Sequence, residues 1–127
     1  MKCSRTAVAA LIALSTRSAL TFGQDGDNMS RLAMDSGCYI CHSVEPRDPA
    51  REVLAFGPAF KDIARRYKRQ TGAVDRLTGT ILQGTGSRAP DRHWIGKISG
   101  EVMLPNAVEL NEADARNLAR WILSLDR

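Results

Sequence analysis

Apolar residues along the chain recur at helical spacing and nowhere at strand spacing. The clearest run is Ala59–Gln70, where Phe60, Ile63, Ala64 and Tyr67 fall at i, i+3, i+4 and i+7. The opposite face of that helix carries Lys61, Arg65, Arg66, Lys68 and Arg69, and Thr71-Gly72 ends it. Val74, Leu77 and Ile81 predict a further helix over Ala73–Gln83. Near the C-terminus Leu118, Trp121, Ile122 and Leu125 form another buried stripe. Asn111 followed by Asp114 resembles an N-cap with an acidic third position. An earlier, weaker face is Met29, Leu32, Ala33 and Ile40, with Asn28 or Ser30 as cap. This first helix is expected to run into Cys38 with Gly37 inside it. An interior glycine costs about 1 kcal/mol against alanine, and close approach by another helix would justify it.

The intervening segments are irregular. Ser43–Pro58 is punctuated by Pro46, Pro49, Gly57 and Pro58. Gly84–Gly100 contains Gly84, Gly86, Pro90, Gly96 and Gly100, and holds His93 and Trp94. Val102–Val108 is apolar without either period and contains Pro105, so it reads as an ordered loop. No repeat or second domain is visible. The expected fold is all-α: about four short helices in one domain, joined by loops too long for an idealised bundle. Something must organise those loops.

The N-terminus changes the charge and the cysteine count. Lys2 and Arg5 precede a short apolar run, Ala7–Leu14, and small and polar residues follow. That run is well short of the about 20 residues that span a bilayer. Residues 1–23 therefore read as a secretory signal peptide, cut near Thr21-Phe22-Gly23 to leave a domain of residues 24–127. Arg17 is atypical for the cleavage region; an ordinary N-terminal helix or a retained membrane anchor are the alternatives. The whole chain of 127 residues carries a formal charge of +4. Lys2, Arg5 and Arg17 supply three of its eighteen basic residues, and none of its fourteen acidic residues precedes Asp25, so the mature domain is left near +1. Such a domain is not built for nucleic acid. Export also removes Cys3, leaving Cys38 and Cys41 in an oxidising compartment. A disulfide between them would close a tiny loop and constrain little of the unfolded chain.

Cys38-Tyr39-Ile40-Cys41-His42 is the pattern of covalent c-type haem attachment. Two thiols within one turn of chain can add to the two porphyrin vinyl groups, and the next histidine can reach the iron. A thioredoxin-like motif would need a βαβ context. A structural zinc site would need a second ligand pair, yet only His42 and His93 are available as histidines. For the sixth position the options are Met103, His93, Met29 and Met34. Met29 and Met34 lie on the helix before the cysteines and read as core filler. Met103 sits in an irregular apolar loop just before Pro105, where a loop can carry a thioether across the second haem face. A His42/Met103 pair raises the reduction potential relative to harder ligands. With both positions filled, iron takes no small-molecule substrate, so one-electron transfer is expected rather than enzymatic turnover.

Over roughly Met29–Leu125 the chain resembles a small bacterial class I c-type cytochrome of the short periplasmic kind. The resemblance rests on Gly37-Cys38-x-x-Cys41-His42, Gly57-Pro58-Ala59-Phe60, Met103-Leu104-Pro105-Asn106-Ala107-Val108 and Leu118–Leu125, in that order. It implies haem c on Cys38 and Cys41, with His42 proximal and Met103 distal. The Pro58 carbonyl would accept the imidazole N–H. Gly37 and Trp121 would lie where the first and last helices cross. Trp94 would approach a haem propionate, and Asn106 would hold the methionine loop. Short relatives often read Met-Pro-Pro-Asn where this chain has Met103-Leu104-Pro105-Asn106, which leaves the potential open.

The implied function is a soluble periplasmic electron carrier, a monomer or weak homodimer, docking weakly on periplasmic or membrane-bound redox proteins. A haem subunit of a dehydrogenase or oxidase complex is the runner-up. A catalytic or sensing haem with labile Met103 is the third reading. The basic cluster at Arg65, Arg66, Lys68 and Arg69 either steers an acidic partner or is simply the wet face of its helix.

Overall fold

The computed structural model describes residues 22–48, 54–86, 91–106 and 110–126. The expected signal segment lies almost wholly outside them, as does Ala107–Val108 of the methionine loop. Four α-helices are present: α1 (Phe22–Asp35), α2 (Phe60–Tyr67), α3 (Ala73–Gln83) and α4 (Glu112–Ser124). Two 3-10 turns, Cys38–Ile40 and Arg92–Trp94, lie between them. No strand occurs among the described residues.

Helix α4 is the hub, packing on α3, α2 and α1. Its N-terminus is fixed as the sequence suggests: Asp114 N–H donates to Asn111 Oδ1 at 2.8 Å. Ala115, Leu118, Ala119 and Ile122 are buried on its inner face. The small residues Ala115 and Ala119 let neighbouring helices come close, and Leu118 is 1 % exposed. Trp121 and Leu125 are half-buried and pack against this core from its margin. On α2 the buried set is Phe60, Ile63, Ala64 and Tyr67, the four positions predicted from spacing. On α3 it is Ala73, Leu77, Thr78 and Ile81, with Val74 half-buried. The buried Thr78 hydroxyl is satisfied by Val74 C=O at 2.8 Å.

Helix α1 departs from expectation at both ends. It begins at Phe22 rather than near Asn28 or Ser30. The polar stretch Gln24–Asn28 contains no proline, and a Cβ at Gly26 would meet nothing within 4 Å, so nothing there stops a helix. At the other end α1 stops at Asp35, and Gly37 is not a helix residue. It has φ +73° and caps the helix, with its N–H donating to Met34 C=O at 2.9 Å. A Cβ there would meet only Ile40 Cδ1, at an ordinary 3.4 Å. The glycine is thus demanded by its left-handed backbone, not by helix–helix approach.

The long loops are partly organised by one another. Ser99 N–H donates to Ala55 C=O and Gly100 N–H to Phe56 C=O, both at 2.9 Å. A Cβ on Gly100 would lie 2.4 Å from Phe56 O, so the two segments touch backbone to backbone.

Candidate functional site

The αL turn at Gly37 redirects the chain from α1 into the 3-10 turn that carries the cysteines. His42 N–H and Cys41 N–H both reach back to Cys38 C=O, at 3.0 and 3.3 Å, packing the motif into one turn. The Tyr39 hydroxyl lies 2.9 Å from Ser30 Oγ, tying that turn to α1. Cys38 and Cys41 are free, half-buried thiols. Burial pushes the Cys38 thiol up; its own backbone hydrogen bond opposes this, and the neighbouring Cys41 adds slightly to it.

Three contacts fix the His42 ring. Nδ1 lies 2.7 Å from Pro58 C=O. Phe60 stacks on the ring at 5.4 Å between centroids and 22° between planes. Gly57 lies against it: a Cβ there would come within 2.8 Å of His42 Cε1 and 2.9 Å of Nδ1. Gly57 N–H donates to Cys41 C=O at 2.8 Å, so that approach is held by backbone. Burial lowers the His42 pKa, with the Pro58 bond opposing it. Burial therefore favours the neutral, metal-binding imidazole. With Nδ1–H directed at Pro58, the free lone pair is on Nε2.

Met103 reaches the same place from the far end of the chain. A cleft lined by Ala33, Cys38, His42, Phe60, Ile63, Leu77, Thr80, Ile81, Met103, Leu118 and Ile122 brings one thiol, the imidazole and the thioether together. Among the described residues that line it, Thr80 alone bears a hydroxyl. One thiol, an oriented imidazole and a thioether around an apolar slot, with the second thiol one turn along the chain at Cys41, suit a flat macrocycle with a central iron, so these residues fit haem c. Asn106 Nδ2 donates to Ser36 C=O at 3.0 Å, tying the methionine loop to the end of α1.

The other candidates lie elsewhere. Met34 is 63 % exposed, and neither it nor Met29 lines the cleft. His93 and Trp94 line a wider groove beside Gly57-Pro58, with Arg65, Arg66 and Lys97. Trp94 is buried there against Tyr67, with ring centroids 6.5 Å apart. Tyr67 in turn donates to Asp91 Oδ2 at 2.6 Å.

The Cytochrome c family model matches residues 27–126. The chain belongs to the cytochrome c family. Cytochrome c-551 of Allochromatium vinosum is 35 % identical over 94 residues, covering 74 % of this chain and 82 % of the relative. Cytochrome c-552 of Hydrogenobacter thermophilus is 34 % identical over 115 residues, covering 91 % and 94 %. The crystal structure of Nitrosomonas europaea cytochrome c552 superposes with a TM-score of 0.57 at 35 % identity, covering 76 % of this chain and 99 % of that one. This cytochrome carries covalently attached haem c and transfers single electrons. Its all-α fold is that of the class I cytochromes. No described helix is long and apolar enough to cross a membrane.

Two contributors were not evident from the cytochrome's sequence. Gly57 stood out only as part of a Gly-Pro pair; its backing of the imidazole emerges from the fold. Thr85, which hydrogen-bonds the Met103 backbone, carried no signal at all: it is one polar residue in an irregular stretch.

Proposed function

We propose that Cys38 and Cys41 hold the haem as thioethers, and that His42 Nε2 and Met103 Sδ are its axial ligands. The mature chain of residues 24–127, freed of its signal segment, then serves as a periplasmic one-electron carrier. The observation that carries this reading is the convergence of Cys38, His42 and Met103 on one apolar cleft, with His42 Nδ1 bound to Pro58 C=O. Bound haem supplies the ferrous–ferric couple. The chain supplies the rest: Pro58 and Phe60 hold the imidazole, Asn106 braces the methionine loop, and the apolar lining excludes water. Filling both axial positions keeps substrates off the iron, so this is a carrier and not an enzyme.

Partners are redox proteins that dock through a small interface. The basic helix face is a weaker attractor than its residue count suggests. Arg65 pairs with Asp62 at 2.6 Å, Lys68 with Asp126 at 2.7 Å, and Arg66 with Asp91 at 3.6 Å. We assign it to solvation of α2 rather than to steering.

The deciding experiment is the optical spectrum, in both redox states, of the protein matured with haem in a periplasm. Wild type should carry covalent haem that is low-spin in both states and show the ferric sulfur-to-iron charge-transfer band. Met103→Ala should lose that band and bind imidazole or carbon monoxide readily. Wild-type protein without covalent haem, or a high-spin wild type, would contradict the assignment.

A further inference from the structure

The geometry points to Thr85 as a positioning residue for Met103, clamping the ligand's own peptide unit to the end of α3. Resting on the reading of Met103 as a ligand, it names what holds that ligand in place. Met103 N–H donates to Thr85 Oγ1 at 2.9 Å. Thr85 N–H donates to Met103 C=O at 2.8 Å. Both backbone polar groups of the ligand thus close on a single residue.

Gly84 makes that closure possible. It has φ +66°, which ends α3, and its N–H donates to Thr80 C=O at 2.8 Å. A Cβ at Gly84 would lie 2.4 Å from Met103 O and 2.7 Å from Pro105 N. The methionine loop therefore rests directly on the helix terminus. Because α3 packs on α4, the clamp is anchored in the core rather than in another loop. Every change in the Met103 backbone must break or stretch a bond to Thr85. A loop held only at Asn106 and at Ser99–Gly100 would be free to hinge between them; the clamp removes that freedom at the residue where it matters.

The test uses the haem-loaded protein with isosteric Thr85→Val and conservative Thr85→Ser. The readout is ferric imidazole binding, followed by loss of the methionine charge-transfer band. Removing the hydroxyl costs one hydrogen bond, so Thr85→Val should bind imidazole about three- to tenfold more tightly, and its reduction potential should fall. Thr85→Ser should return both to wild-type values. A purely structural role would lower the melting temperature without changing exogenous-ligand affinity. Equal imidazole affinity in Thr85→Val and wild type, with the band intact in both, overturns the clamp and leaves the ligand assignment standing. Absence of the band in wild type overturns both. Amide exchange on the wild type covers the case of a variant that does not fold: the Met103 N–H should be protected, and exchange at an unprotected rate overturns the clamp.

Discussion

Replacing Gly57 by alanine places a single methyl group against the His42 imidazole. That Cβ would sit 2.8 Å from Cε1, about 0.6 Å short of the 3.4 Å at which ordinary contact begins. The ring has little room to retreat, with Phe60 stacked on it and Nδ1 bonded to Pro58 at 2.7 Å. Gly57 is not among the positive-φ glycines, so alanine adds no backbone strain and the effect isolates the collision. Overpacking of this kind costs about 1–3 kcal/mol. Stretching the Pro58 bond costs up to about 1 kcal/mol more. Reduced entropy of the unfolded chain returns about 0.4–1 kcal/mol. The net expectation is a loss of about 2 kcal/mol, or a melting temperature about 8–16 °C lower for a domain of this size. Guanidinium denaturation of the haem-loaded protein, followed by circular dichroism, measures the first quantity. Voltammetry measures a second: a weakened Nδ1–H bond to Pro58 makes the imidazole a poorer donor, so the reduction potential should rise. A variant within about 0.5 kcal/mol of wild type and at an unchanged potential would refute the view that the missing side chain at Gly57 positions the ligand.

Other expectations concern the frame around the site. Tyr67→Phe removes the 2.6 Å bond to Asp91 and should cost about 1 kcal/mol at neutral pH. The Tyr67 bond, the His93 backbone N–H and nearby Arg66 hold the Asp91 carboxyl below its usual 3.8. The folded state thus favours ionised Asp91, and this stability is present above 3.8 and lost as pH falls through the lower folded value. The gap between wild type and Tyr67→Phe should therefore shrink in acid, which urea titrations at stepped pH would reveal. Asn111→Ala removes the α4 cap and should cost about 1 kcal/mol, read as a shift in denaturation midpoint at constant slope. Leu118→Ala, at a position 1 % exposed that also lines the cleft, should cost about 3–4 kcal/mol. A loss below about 1 kcal/mol would mean that the core collapses into the space left behind.

Much of the frame was legible before any coordinates. The stripe Phe60, Ile63, Ala64 and Tyr67 predicts α2 and its buried face because helical period and burial are one constraint. The same holds for Leu77 and Ile81 on α3 and Leu118 and Ile122 on α4, and Asn111 announces its cap through a local bond. Trp121 and Leu125 were placed deeper than they lie, since periodicity gives a face but not a depth. The start of α1 was missed because a polar, proline-free lead-in carries no stop signal. Gly37 reads from sequence as a helix residue but lies just past the end of α1: a lone glycine looks alike whether it permits close packing or a positive φ.

The Cys38–His42 motif is a chemical unit within one turn, so sequence by itself determines what it can attach and which residue follows the thiols. Met103 stands out in sequence as a methionine in an apolar, proline-stiffened loop, and the fold brings it to the cleft that His42 lines. The tertiary structure decided how these residues are held. Pro58 C=O finds His42, Gly57 backs its ring, Ser36 C=O holds Asn106, and Thr85 brackets Met103. Each of these is a contact between residues distant in the chain, and most engage a backbone group, which every residue possesses. The family resemblance implied the Pro58 contact, but a backbone carbonyl leaves no mark of its own on the residue sequence, so only the fold shows that Ser36 C=O meets Asn106 and Met103 C=O meets Thr85.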